Sequence, residues 1–131
     1  MIIDTHTHIN HGAPNDTQVS EIYLSDLDEL YAIGKAAGID KMFASTFASV
    51  LSTENVAAEN EYLYELARSV DYLYQWVVIE PRCEETFAQA RRMLNTEKCV
   101  GIKLHPPYHK YNYDDFGDKI FSLAAEVSPK P

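Results

Sequence analysis

Leu73-Tyr74-Gln75-Trp76-Val77-Val78-Ile79 is an almost unbroken apolar run. A strand with one wet face alternates apolar and polar residues. A continuous run bounded by polar residues is instead expected of a parallel strand covered on both faces. Three more strand signals surround it, near residues 1–8, 41–47 and 99–105, and a helix-period segment follows each of the four.

The helical segments carry their own punctuation. Ser25 precedes Asp-Leu-Asp-Glu, which offers a hydroxyl cap with Asp28 at the capping-box position. Leu27, Leu30, Tyr31, Gly34 and Ala37 then recur at helical spacing. Gly38 supplies a left-handed stop, and Ile39 the apolar contact that usually accompanies it. A second helix, starting near Thr53, places Val56, Leu63, Leu66, Ala67 and Val70 on one side. A third runs from about Glu84 to Leu94 with Phe87, Ala90 and Leu94 inward. A fourth spans about Phe116 to Val127 with Ile120, Leu123, Ala124 and Val127.

Alternating βαβα units imply a parallel sheet with right-handed crossovers, and about 30 residues per unit is the rhythm of a barrel. The expected fold class is α/β, a parallel (β/α) barrel of TIM type represented by about four βα units, a half-barrel. Residues 1–131 form a single domain in this reading, the N-terminal portion of the barrel. Val127-Ser128-Pro129-Lys130-Pro131 halts where a fifth strand would start. Four parallel strands leave unpaired edges and an apolar face, so the expected partner is a second copy, giving a homo-oligomer, or a missing C-terminal half.

Composition narrows the function. The chain is 46% hydrophobic and 24% charged, as globular domains are, with a net charge of −9. It has no basic footprint for nucleic acid. No apolar run approaches the roughly 20 residues of a membrane helix, and Met1-Ile2-Ile3-Asp4 lacks the basic start of a secretory signal. Cys83 and Cys99 have no metal-type spacing and read as reduced structural thiols, which suits a cytoplasmic protein.

The candidate chemistry lies on the first and fourth strands. With period-2 alternation, Asp4, His6 and His8 share one face and Ile3, Thr5 and Thr7 the other. Imidazoles at i and i+2 can reach one divalent ion, while Asp4 can act as an outer acceptor that fixes a tautomer. On Val100-Gly101-Ile102-Lys103-Leu104-His105, the residues Val100, Ile102 and Leu104 face helices, leaving Gly101, Lys103 and His105 inward. An inward lysine must lose its proton, pair with a carboxylate or be modified. His105 stands at the strand tip, where barrel enzymes keep catalytic groups. Glu80, His11 and the loop Pro-Pro-Tyr-His-Lys-Tyr-Asn-Tyr at 106–113 are weaker candidates for the mouth of the site.

At Met-Ile-Ile-Asp-Thr-His-Thr-His-Ile (1–9) and Cys-Val-Gly-Ile-Lys-Leu-His-Pro (99–106) the chain resembles the amidohydrolase superfamily, in its branch of small metal-dependent hydrolases and nonoxidative decarboxylases. The resemblance implies a (β/α)₈ barrel, usually with zinc, in which a metal-activated water attacks the amide, ester or lactone carbonyl of a small-molecule substrate. In some members a carboxylate is lost instead. It implies that His6 and His8 are metal ligands, and it makes Lys103 and His105 the catalytic candidates, Lys103 lying on the strand that in some subfamilies bears a bridging carbamylated lysine. The histidines of the family's fifth and sixth strands and the aspartate of its eighth have no counterpart, so the expected enzyme is incomplete and inactive as this chain alone. A non-catalytic half-barrel acting through association is the reading from a different class. TatD-like nucleases fit less well because their fourth strand carries Glu where Lys103 stands, and PHP phosphoesterases because His11-Gly12-Ala13-Pro14 does not match their loop.

Overall fold

A computed structural model describes residues 1–11 and 26–128. Strand β1 (Ile3–Ile9) is followed by α1 (Leu27–Ala36), β2 (Lys41–Thr46), α2 (Phe47–Leu51), α3 (Val56–Ser69), β3 (Leu73–Val78), α4 (Glu84–Met93), β4 (Cys99–Lys103), α5 (Pro106–His109) and α6 (Tyr113–Val127). The four strands form one all-parallel sheet in the order β1-β2-β3-β4. Among the described residues no helix is long and apolar enough to cross a membrane.

The helix termini show where local chemistry decides. Asp26, not Ser25, caps α1: its Oδ1 accepts from the Glu29 N–H at 3.0 Å, and Ser25 lies outside the described residues. At the other end Gly38 has φ +79°, Gly38 N–H donates to Lys35 O at 3.0 Å, and Ile39 N–H donates to Gly34 O at 2.8 Å. That is the expected left-handed stop, with the last carbonyls satisfied. Helix α3 starts at Val56 rather than near Thr53, because the short helix α2 continues directly from β2 and Asn55, at φ 59°, makes the turn between them. Helix α6 begins at Tyr113, ahead of the expected Phe116, because the Asn112 side chain caps it through the Asp115 N–H at 3.1 Å.

Alternation along β3 sorts the core. Leu73, Val77 and Ile79 are fully buried. Val77 and Ile79 meet Phe87, Ala90 and Met93 of α4 and Ile120 and Leu123 of α6, while Leu73 packs with Leu63 and Ala67 of α3. Tyr74 and Trp76 stand on the opposite face, half-buried, where Phe43 meets both rings edge-on at 5.5 and 6.1 Å. Among the described residues, aromatic side chains packed on one another, rather than a second layer of helices, accompany the apolar run on this face. In β4 the register slips between Gln75 and Trp76, so Cys99, rather than Val100, joins Ile102 and Leu104 against the helices.

Strand β2 pairs with β3 only as far as Ala44 opposite Gln75 before its chain turns into α2. The far end of β3 then lacks a neighbour on that side, and the Asn60 side chain of α3 replaces one. Its Nδ2 donates to Val78 O at 2.9 Å, and its Oδ1 accepts from Val78 N–H at 3.0 Å. Gln89 Oε1 takes a second Nδ2 hydrogen at 3.0 Å, while Gln75 Nε2 donates to Asn60 O at 2.7 Å. All three side chains are buried. Replacing Asn60 with Ala leaves both Val78 backbone groups unpaired, so we expect a loss of about 2–4 kcal/mol in urea denaturation. An Asn60→Ala chain within 1 kcal/mol of the wild type, or roughly the cost of a single exposed hydrogen bond, would show that the amide is not replacing the missing strand.

Candidate metal centre

Strand β1 does not alternate cleanly. Its register puts Asp4 opposite Met42 and Thr7 opposite Ala44, three steps on one strand against two on the other. This is a β-bulge, and it reverses the alternation within the motif. Asp4 and Thr7 pair with the helix-facing residues Met42 and Ala44, while His8 pairs with Ser45 on the other face. The expectation that Asp4, His6 and His8 share one face is therefore corrected. Asp4 also binds no imidazole here: its Oδ1 accepts the His6 backbone N–H at 2.9 Å and braces the bulge.

The two imidazoles nevertheless converge. His6 Nε2 and His8 Nε2 lie 3.1 Å apart, with the rings edge to face at 64°. His8 stacks on Phe47 at 4.7 Å, and its Nδ1 meets Ser45 Oγ at 3.1 Å. With Nδ1–H donated to that hydroxyl, the Nε2 lone pair of His8 is free for a ligand. Lys103, reaching over from β4, places Nζ 2.7 Å from His6 Nε2. Three nitrogens from two strands 97 residues apart in sequence thus meet at one point.

These donors fit half of a zinc site. Two nitrogens bound at about 2.0–2.1 Å to one tetrahedral ion stand roughly 3.3 Å apart, close to the observed 3.1 Å. Among the described residues no group of three or more His, Cys, Asp or Glu side chains comes together to complete it. A cavity of about 310 Å³ opens beside the pair, bordered by Asp4, His6, His8, Leu30, Ile33 and Phe47.

His105 is close enough for the charges of Lys103 and His6 to bear on it, but it makes no hydrogen bond to the pair. It caps α5, its ring lies 5.0 Å from Tyr108, and its Nδ1 is buried with no partner among the described residues. The tyrosine-rich stretch expected as an open loop is partly helical, and His109 within it is fully buried. His109 Nε2–H donates to Ser49 O at 2.9 Å, and Nδ1 lies 3.5 Å from Glu80 Oε2. Glu80 is buried and gripped by Arg82, which also donates to His109 O. Burial alone would raise the Glu80 pKa, but the Arg82 hydrogen bonds and charge reverse this and hold it below the carboxylate range. Glu80 and His109 thus fasten the tips of β3 and β4 to α2 and do not join the histidine pair. His11 was readable as a solvated mouth residue. Instead its Nδ1 meets the buried Glu59 Oε1 at 2.9 Å, and its ring lies flat on Tyr62 at 3.4 Å. Nothing in the helical pattern of residues 53–70 singled out Glu59. Nor did anything mark Ser45 and Phe47, which orient His8.

Around the pair, every shift disfavours positive charge. Burial first, then Lys103 and His6, lower His8 to a pKa of about 4. Burial lowers Lys103 and, with help from neighbouring cationic groups, His105. In the metal-free chain His8 stays neutral down to about pH 4, whereas the unfolded chain takes up that proton from about pH 6.5 downward. His8 therefore costs no stability above pH 6.5, and stability falls as pH drops from 6.5 to 4, by at most about 3 kcal/mol. Urea denaturation across this window, with chelator present, should show a shallower fall for His8→Gln than for the wild type. Parallel profiles would remove the assignment.

No family model matches the chain, and neither a curated protein nor a solved structure matches it.

Proposed function

We propose that the chain contributes the first ligands of a metal-dependent hydrolase of the amidohydrolase type, built on a (β/α)₈ barrel of which the parallel sheet is one part. The observation that carries the reading is the 3.1 Å separation of His6 Nε2 and His8 Nε2, with the His8 tautomer held by Ser45. His6 and His8 would hold the ion, zinc being the best match for two imidazoles on a rigid strand. When bound, such an ion supplies a nucleophile at neutral pH and polarises the amide, ester or lactone carbonyl under attack.

The chain's other groups have roles of their own in this reading. Lys103 donates to the His6 lone pair in the metal-free chain and must give it up when His6 takes a ligand. Released, it is placed to hold an anionic oxygen of a small-molecule substrate, or, once carbamylated, to add a ligand. An ammonium there equally suits a substrate carboxylate, which is what favours nonoxidative decarboxylation as the second reading. His105 lies at the rim, where it can exchange a proton with the substrate. Catalytic zinc normally has three protein ligands, so the remaining ones, and a carboxylate base, would come from strands supplied by further sequence or by another copy.

Calorimetric zinc titration of the wild type and of a His6→Ala/His8→Ala double variant tests this. We expect weak binding by the wild type, as two imidazoles alone make a loose site, at least a tenfold loss in the double variant, and negligible turnover in an ester and lactone screen. Equal affinities would remove the metal assignment. Robust turnover by the 131-residue chain would mean that it builds a complete site unaided.

A further inference from the structure

Trp76 is the only tryptophan in the chain, and it lies on the open face of the sheet rather than in the helix-side core. Its indole Nε1–H donates to Thr5 O at 3.0 Å, across 71 residues of sequence and from β3 to β1. Thr5 sits inside the bulge, between Asp4 and Thr7, where the pairing of β1 with β2 is out of register. The next residue is His6. On the opposite side the indole lies over Gly101, its partner on β4, where an added Cβ would stand 2.5 Å from Trp76 Cζ3 and 3.1 Å from Cε3. Thr5, His6, Trp76 and Lys103 border a common cavity of about 260 Å³.

We propose that Trp76 is a positioning residue for His6: by holding the bulged Thr5 carbonyl, its indole N–H sets where the imidazole of His6 stands relative to His8 and Lys103. A bulge bends and re-aims its strand, and this one leaves the peptide before His6 outside the β1–β2 pairing, where the indole N–H meets its carbonyl. Asp4 secures the His6 N–H from one side, and Trp76 secures the preceding peptide from the other. Gly101 is part of the device, because only a residue without a Cβ leaves room for the ring. That a metal is what His6 and His8 receive rests on the functional reading above; the positioning of His6 does not.

Three measurements test it, each on the full chain. In the metal-free wild type, the single indole N–H resonance should exchange slowly with solvent; rapid exchange typical of a free indole would overturn the proposal. Trp76→Phe keeps a six-membered aromatic ring on the sheet and removes the N–H donor together with the rest of the pyrrole ring. We expect it to retain the circular dichroism and denaturation midpoint of the wild type while the ring resonances of His6 and His8 shift and those of the buried His109 do not. Zinc affinity should fall about tenfold, as when a partner that orients a ligand is lost. Gly101→Ala, which displaces the ring from the other side, should move the same resonances in the same direction and decides the matter if Trp76→Phe does not fold. Unchanged His6 and His8 resonances in a folded variant would overturn the proposal. If the wild type binds no zinc, the metal reading fails, and the resonances of the metal-free variants still decide the role of Trp76.

Discussion

One extra residue in β1 governs the arrangement at this site. Without the slip between Asp4 and Thr7, period-2 alternation would carry Asp4 to the face of His8. With it, Asp4 turns toward the helix side and spends its oxygen on the His6 backbone. The imidazoles then meet each other and the lysine with no carboxylate hydrogen-bonded to them among the described residues. The cost of a bulge is an unpaired stretch of ladder, and the chain meets that cost with two side-chain contacts, from Asp4 and Trp76. Ligand geometry and backbone irregularity are the same feature seen from two sides.

The rest of the sheet is built so that this end can stay irregular. Parallel strands reach one another only through crossover helices, and β2 stops pairing with β3 early to enter α2. Asn60 takes over where the neighbouring strand is missing, matching the donor and acceptor of Val78 as a peptide would. Beyond it, the buried Glu80 and His109, bridged by the more exposed Arg82, fasten the β3 tip, α5 and the Ser49 carbonyl of α2 together. Phe47 and Ser45, which orient His8, lie at the start of that same α2 and the end of β2. The polar network therefore reaches the histidine pair through α2: it holds the helix against which His8 stacks.

Much of this was legible in the residues. Strand positions, the parallel order and the Gly38 stop follow from periodicity and from a backbone conformation that only glycine adopts without strain. His6, His8 and Lys103 were legible as candidates because their types are costly on an inward strand face, and the fold brings their side chains together. The bulge was not legible. Its signature is a count of residues on one strand relative to another, and no pattern within β1 reveals what β2 does. Asn60 and Glu59 escaped for a related reason: each is a polar residue on a helix, where a solvated position is the ordinary reading, and only tertiary pairing makes it buried. Trp76 read as apolar core because its ring dominates its hydropathy, whereas its indole N–H is what the site uses.

The electrostatics of the site follow from those placements. The chain carries a net charge of −9, yet among the described residues His6, His8, Lys103 and His105 gather with no acidic side chain in hydrogen-bonding contact with their side chains. Burial and the neighbouring cationic groups hold His8 to about 4 and lower His105, and burial lowers Lys103. A structural salt-bridge cluster would be built the other way, with carboxylates among the bases, as Glu80 and Arg82 are a short distance along the sheet. Imidazole nitrogens converging at ligand spacing are instead what a cation requires, and an ammonium beside them is what an anion requires. A site that presents both is suited to a substrate whose reacting oxygen gains negative charge next to an electrophile. The proposed hydrolytic or decarboxylating role draws on this pairing, since both chemistries build negative charge on an oxygen beside an electrophile.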